Sequence, residues 1–408
     1  MRFFIGIGVA VVIFSAAVFF SGRHPQSRSI VAGDYPEVKE LKEQNLDFQK
    51  LSVYFTDLAE KKGAAYGYEV LKAIPVPPNI DMHLLGHVVG DVLYRQQGLE
   101  GIKICTHDFR NACSHSIVVG LFLEKGTAAL PEIARACRNA PGGSGAYTMC
   151  FHGLGHGILA YADYDLEKTI DLCHKTGTPA YNNREYVECV GGAVMELISG
   201  GFHDPKLWAT MRPRYLKKDH PLSLCMGHAM PLEVRNNCII YITPYLFEAA
   251  GANMGSPNPE DFVKAFHYCD ALPPADSADR DACFGGFGKE FTGLVLGRDI
   301  RSAAIASIGD EQFKKVYAWC RLAEPREGGA ACITNAMNSF FWGGENDRRV
   351  ATRFCSLIPM SDGYHRRTCF MNLIDSVGFY IQDATYKKEF CGEAPEEYTQ
   401  ACNQKLGL

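Results

Sequence analysis

Cys189-Val190-Gly191-Gly192-Ala193-Val194-Met195-Glu196-Leu197 and Cys283-Phe284-Gly285-Gly286-Phe287-Gly288-Lys289-Glu290-Phe291 agree in the cysteine, both glycines and the glutamate. Each stretch is apolar on nearly every side, as a helix buried between two neighbours should be. Glycine inside a helix costs about 1 kcal/mol relative to alanine, so its return at one register needs a reason. Close approach of adjacent helices supplies one, because glycine lacks the side chain that would hold them apart. The match establishes internal duplication.

Working outward, each stretch opens on the second member of a cysteine couple. The 16 cysteines of the 408-residue chain fall into eight consecutive couples: Cys105 and Cys113, Cys137 and Cys150, Cys173 and Cys189, Cys225 and Cys238, Cys269 and Cys283, Cys320 and Cys332, Cys355 and Cys369, Cys391 and Cys402. Between the members of a couple lie 7 to 15 residues. An even count outside the cytosol favours a disulfide framework, and the periodicity predicts local pairing. Closing such a loop stabilises by roughly 3 kcal/mol in the chain-entropy picture. No Cys-x-x-Cys occurs, which removes support for zinc ribbons, thioredoxin-type redox pairs and covalent haem attachment.

The residues before each first cysteine read as an amphipathic helix: Ile133, Ala134 and Cys137; Leu166, Ile170 and Cys173; Phe262, Phe266 and Cys269; Phe313, Val316, Tyr317 and Cys320. Turn formers follow, as in Pro141-Gly142-Gly143-Ser144-Gly145, and then the apolar second helix. From Cys137 onward the first cysteines recur every 35 to 52 residues, a period in the range of helical-pair repeats. Upstream, Pro36 opens a helix predicted to run to about Lys62; two more are predicted at Ala64–Ala73 and from about Asp81 to Gln97. The expected fold is all-α, an α-solenoid of repeated helical hairpins with disulfide-stapled loops. It resembles tetratricopeptide-type solenoids in architecture only.

Phe3 to Phe20 is an apolar run of 18 residues behind Arg2, just long enough to cross a bilayer. It ends without a clean small-x-small cleavage site. Residues 1–22 are therefore expected to be a transmembrane signal-anchor, 23–35 a flexible linker, and 36–408 a disulfide-rich ectodomain. Its residues 36–161 form a His-rich N-terminal part and 162–408 the C-terminal repeats. Disulfides persist outside the cytosol, so the body is expected in the periplasm or extracellular space, held to the membrane by the N-terminal helix. Net charge is −5, and no basic stripe points to nucleic acid. Arg212, Arg214, Lys217 and Lys218 form the one basic knot, read as a solvated loop.

Five of the 13 histidines are in repeat register. His83-Leu84-Leu85-Gly86-His87 returns as His152-Gly153-Leu154-Gly155-His156, and His115 follows Cys113 as His152 follows Cys150. Residues four apart share a helical face, so five imidazoles should converge on one wall. Neutral imidazole is the commonest metal ligand. The spacing is that of the zinc-protease helix motif, but Leu84 and Gly153 replace its glutamate. The expectation is a transition-metal site (zinc, copper or iron), with His83, His87, His152 and His156 as principal ligands and His115 as a bridging or completing one. In a straight stack the first and third helices lie too far apart, so all five meet only with strong curvature or a distorted short hairpin at Cys105–Cys113. Auxiliary candidates are His107, Asp81, Asp91, Asp108, Tyr94 and Tyr161. Glu196 and Glu290 either extend a polar groove or pair with arginines.

Two functions follow from this pattern. The first is a membrane-anchored metalloprotein, with catalysis an open question and no catalytic residue assignable. The second is a non-enzymatic envelope scaffold that binds a protein or peptide along the solenoid surface, its histidines serving a polar seam between helices. Nucleophilic catalysis lacks a Gly-x-Ser-x-Gly elbow and a free cysteine, and no phosphate-binding glycine loop is present.

Overall fold

A computed structural model describes residues 35–42, 44, 46–141, 143–200, 204–343 and 348–408. The described residues are helices and connecting turns, with no strand. The apolar run from Phe3 to Phe20 lies outside them, as does nearly all of the linker expected at 23–35. Among the described residues no helix is long and apolar enough to cross a membrane.

All eight cysteine couples are disulfides, with Cα–Cα distances of 5.4 to 5.6 Å and sequence separations of 8 to 16. No cysteine is free. The helix pattern follows the sequence except near the start and at the basic knot, where Arg212 and Arg214 stand on a helix, Pro205–Tyr215, rather than in a loop. Instead of one helix from Pro36 to Lys62 there are two, Pro36–Lys42 and Phe48–Lys62. Asp47 restarts the chain by accepting the Lys50 N–H on its carboxylate, a competing interaction that favours a cap over a helix interior. Ala64–Ala73 and Met82–Gln97 form as expected.

The hairpins divide into two kinds of helix. Outer ones, such as Leu130–Arg138, bury one stripe: Ile133, Ala136 and Cys137. Inner ones bury nearly every side, as Ala112–Lys125 does from Ala112 through Val119. In chain order the inner helices are Met82–Gln97, Ala112–Lys125, Gly143–Tyr161, Arg184–Ser199, Leu232–Tyr241, Ser277–Val295, Arg326–Gly343 and Gly363–Tyr380, and each packs on the next. Glycine sets their spacing. A Cβ on Gly192 would stand 1.8 Å from the His152 carbonyl oxygen, and one on Gly155 would stand 1.9 Å from that of Cys189. Gly288 meets Cys332 in the same way.

The array does not run straight. Arg301 Nη1 donates to the carbonyls of Ile74 (2.6 Å) and Lys72 (3.0 Å). The Asn79 N–H donates to Gly297 O at 2.8 Å, and the Ser302 N–H to Asp108 Oδ1 at 2.9 Å. The first hairpins are thus bonded to the sixth, and a straight stack cannot make these bonds. All eight inner helices contribute to the lining of one central cavity of about 280 Å³.

Candidate metal centre

Each histidine-bearing helix is anchored at its N-terminus. Asp81 caps Met82–Gln97 by accepting the Leu84 N–H at 3.1 Å. His83 and His87 then share a face one turn apart, as do His152 and His156 on Gly143–Tyr161. Between these two helices lies Ala112–Lys125, which carries His115. It starts from an unusual turn in which Phe109, Arg110 and Asn111 are all left-handed, with φ of 59°, 51° and 65°. Left-handed backbone costs an L-residue about 1–2 kcal/mol. Three features hold the turn: the Cys105–Cys113 disulfide, the Phe109 ring packed on Tyr68 (5.7 Å), and Asp108, which accepts from Thr106 (2.7 Å) and from Ser302. The distortion in the shortest hairpin is what aims the Phe109 carbonyl at His83 Nδ1, 2.7 Å away.

The five rings converge. Among His83, His87, His115 and His156 every pair of ring centres is separated by 4.7 to 6.2 Å, and His152 lies 5.7 Å from His115 and 5.2 Å from His156. All five are buried. Gly153 makes room for them, since a Cβ there would stand 2.3 Å from the His115 ring.

Hydrogen bonds fix where the lone pairs point. His83 donates Nδ1–H to Phe109 O, which leaves Nε2 as the lone pair. The Ser116 hydroxyl donates to His87 O (3.1 Å), so Ser116 Oγ accepts from His87 Nδ1–H (3.0 Å), and again Nε2 carries the lone pair. These two Nε2 atoms face each other at 3.2 Å. Two lone pairs in such contact repel unless a proton or a metal ion lies between them. Two imidazoles on one tetrahedral ion at ordinary Zn–N lengths would stand about 3.3–3.4 Å apart, close to the observed separation.

His115 has neither ring nitrogen hydrogen-bonded, and His156 Nε2 and His152 Nδ1 are likewise buried without a partner. Buried polar atoms are rarely left so. Burial pushes His83 down to about 4. Burial first, and the neighbouring imidazoles with it, hold His115 and His152 well below the usual imidazole range. Burial thus favours the neutral form of these three rings, which is the ligating form. Ligand atoms of His83, His87 and His115 all lie within 4.8 Å of one another, so this buried group could hold a metal ion. The group therefore combines one His-x-x-x-His pair, His83 and His87, with His115, and the second pair, His152 and His156, expected as principal ligands, lies outside it.

Carboxylates surround the histidines. His156 donates Nδ1–H to Glu196 Oε2 at 3.2 Å, while Tyr164 donates to Glu196 Oε1 at 3.1 Å. Such a carboxylate orients a ligating imidazole and raises its basicity. Glu188 Oε2 is 4.0 Å from His152 Nδ1. His83, His115 and His152 line the central cavity, while a small recess of about 50 Å³ opens on His83, His87, His156 and Glu196.

Of the auxiliary candidates, Asp81 is a helix cap that also lines the recess, and Asp108 braces the left-handed turn. Tyr94 packs on Gly120 and Tyr161 on Phe122. His107 lines the cavity. Glu290 pairs with Lys289 rather than with an arginine, and Glu196 serves His156. Arg212, from the basic knot, lies on the Pro205–Tyr215 helix and forks onto Glu248 at 3.2 and 2.5 Å. Sequence reasoning missed Ser116, Glu188, Arg110 and the Phe109 carbonyl. Only Glu188, one residue before Cys189, stood in a position the repeat pattern could have flagged. No protein-family model matches the chain, and no curated protein or solved structure shows significant similarity to it.

Proposed function

We propose that this chain is an extracytoplasmic metalloprotein, built as a curved helical solenoid, that binds one transition-metal ion and acts on a small molecule in its central cavity. The observation that carries this reading is the pair of inward-facing Nε2 lone pairs of His83 and His87, 3.2 Å apart, beside His115, whose buried ring nitrogens have no partner. His83, His87 and His115 are the assigned ligands, and His156, whose Nε2 is buried without a partner, stands beside them. His152 stands on the cavity side as the group that would accept or deliver a proton. Three neutral imidazoles leave the full charge on the ion, which in a zinc site of that kind acidifies bound water to a pKa of about 7. The chain's own contributions are orientation of the imidazoles by Phe109 O, Ser116 and Glu196, and exclusion of bulk water by burial.

Eight disulfides support an oxidising compartment, and the apolar run from Phe3 to Phe20 supports a membrane anchor. The test is elemental analysis of purified full-length protein. The expected result is about one equivalent of zinc, copper or iron in the wild type and none in a His83→Ala/His87→Ala variant with its disulfides intact. Wild-type protein that is metal-free and takes up none on titration would sink this reading and favour the scaffold.

A further inference from the structure

The central cavity that His83, His115 and His152 line also carries cations, and their chemistry suggests what the cavity takes. Arg110, aimed inward by the left-handed turn, lines the cavity and reaches the Lys289 carbonyl at 3.4 Å. Among the described residues no carboxylate lies within ion-pair distance of its guanidinium. The other charges are compensated: Arg184 pairs with Glu188 at 3.2 Å, and Lys289 with Glu290. Lys289 Nζ sits 4.8 Å above the Tyr241 ring, and the opposite neighbour of that ring is His152, 4.5 Å centre to centre. Tyr241 therefore stands between His152 and Lys289. Asn338 also lines the cavity and accepts the Ser376 hydroxyl at 2.9 Å, which leaves its NH2 donors free for a ligand. Met149, Ile240 and Trp342 supply apolar surface.

We infer that the cavity binds a small organic carboxylate, its charged end on Arg110 and Lys289 and its body against Tyr241 and Trp342, facing the imidazoles. Arg110 and Lys289 share the single carboxylate of Glu290, which leaves net positive charge for an anion, and a planar fork pairs bidentately with a carboxylate. The apolar lining is the reason for an organic body rather than a bare inorganic ion. A volume of about 280 Å³ lies just below the usual range of ligand pockets, about 300–1,000 Å³, which suits a small molecule. The inference deepens the metal reading by naming the substrate class, yet its anion half depends on Arg110 and Lys289 alone.

The experiment is calorimetric titration of full-length protein, as purified and after metal chelation, with benzoate and succinate, their amides benzamide and succinamide, and inorganic phosphate. At least one carboxylate should bind about tenfold or more tightly than its amide, and more tightly than phosphate. Arg110→Gln should lose that preference about tenfold with metal content and melting temperature unchanged, and Arg110→Lys should keep part of it. Lys289→Gln should weaken the same ligand. Carboxylate and amide binding alike, phosphate binding as well as any carboxylate, no binding at millimolar concentration, or indifference to Arg110→Gln would each overturn the inference. Stoichiometric metal with no carboxylate preference would fail this inference alone. Arg110-dependent carboxylate binding without metal would fail the metal reading alone.

Discussion

His365 and His115 are buried equally, at 1% and 0% exposure, on inner helices of the same disulfide-stapled hairpin type. Their surroundings differ completely. His365 has oxygen on both sides, Asp362 at 2.8 Å from Nδ1 and the Arg326 carbonyl at 3.0 Å from Nε2. His115 has neither nitrogen satisfied and four other imidazoles nearby. His365 completes its hydrogen bonds within the protein, whereas His115, proposed as a metal ligand, leaves its own open. The contrast extends along the repeats. Six residues after the inner cysteine stand His156, Met195, Lys289 and Asn338, all lining the cavity or its adjoining recess. The frame is repeated and the chemistry is written into two slots one helical turn apart, that of His115 and His152 and that of His156.

The largest effect separating the two regions should come from metal. At about 1,000 times its Kd, a ligand that binds only the folded state adds about 4 kcal/mol. Wild-type protein should gain that in thermal or denaturant unfolding, whereas His83→Ala/His87→Ala should gain none and His365→Gln should gain it in full.

Acid should come next. In metal-stripped protein the unfolded chain takes up imidazole protons near pH 6.5, but folded His83 does so only near 4. Between these values the unfolded state binds more protons, so stability present above pH 6.5 is lost as pH falls toward 4. His83 alone accounts for about 3 kcal/mol, and His115 and His152 act in the same direction. Urea midpoints across this range should fall steeply without metal and less steeply with it, since the ion competes with protons.

A smaller difference sharpens the contrast between the two histidines directly. His365→Leu should cost about 2 kcal/mol, because it removes a buried donor from the Arg326 carbonyl and a charge-assisted bond from Asp362, which keeps Tyr317 and Arg321. His115→Leu in metal-stripped protein should be neutral or stabilising by about 1 kcal/mol, since it removes buried polar atoms that have no partner. Equal losses would erase the distinction. Smallest of all, Ser116→Ala should lower metal affinity about tenfold by freeing the His87 ring, read in a chelator competition.

The hairpins, the eight pairings and the convergence of the histidines were legible because each follows from periodicity. Cysteine couples at fixed places along helices, and imidazoles four residues apart in register, leave few arrangements open. The glycines gave the helix spacing for the same reason, as Gly192 against the His152 carbonyl demonstrates. What stayed illegible comes from departures from the repeat. The break before Asp47 depends on a single capping carboxylate inside an otherwise helical pattern. The left-handed turn at Phe109–Asn111 has no glycine to announce it. Arg301, which ties the sixth hairpin to the first, lies in a connecting segment, so the bonds that curve the array and the placing of Arg110 beside Lys289 could not be read in advance.

The central claim is that His83, His87 and His115 share one ion. Anomalous diffraction at the absorption edge of the bound metal, on crystals of protein purified without chelator, tests it most directly. A single peak about 2.0–2.2 Å from the Nε2 atoms of His83 and His87 and within reach of His115 is the expected result. Crystals soaked in zinc that show no peak there, or one only at surface residues, would contradict it.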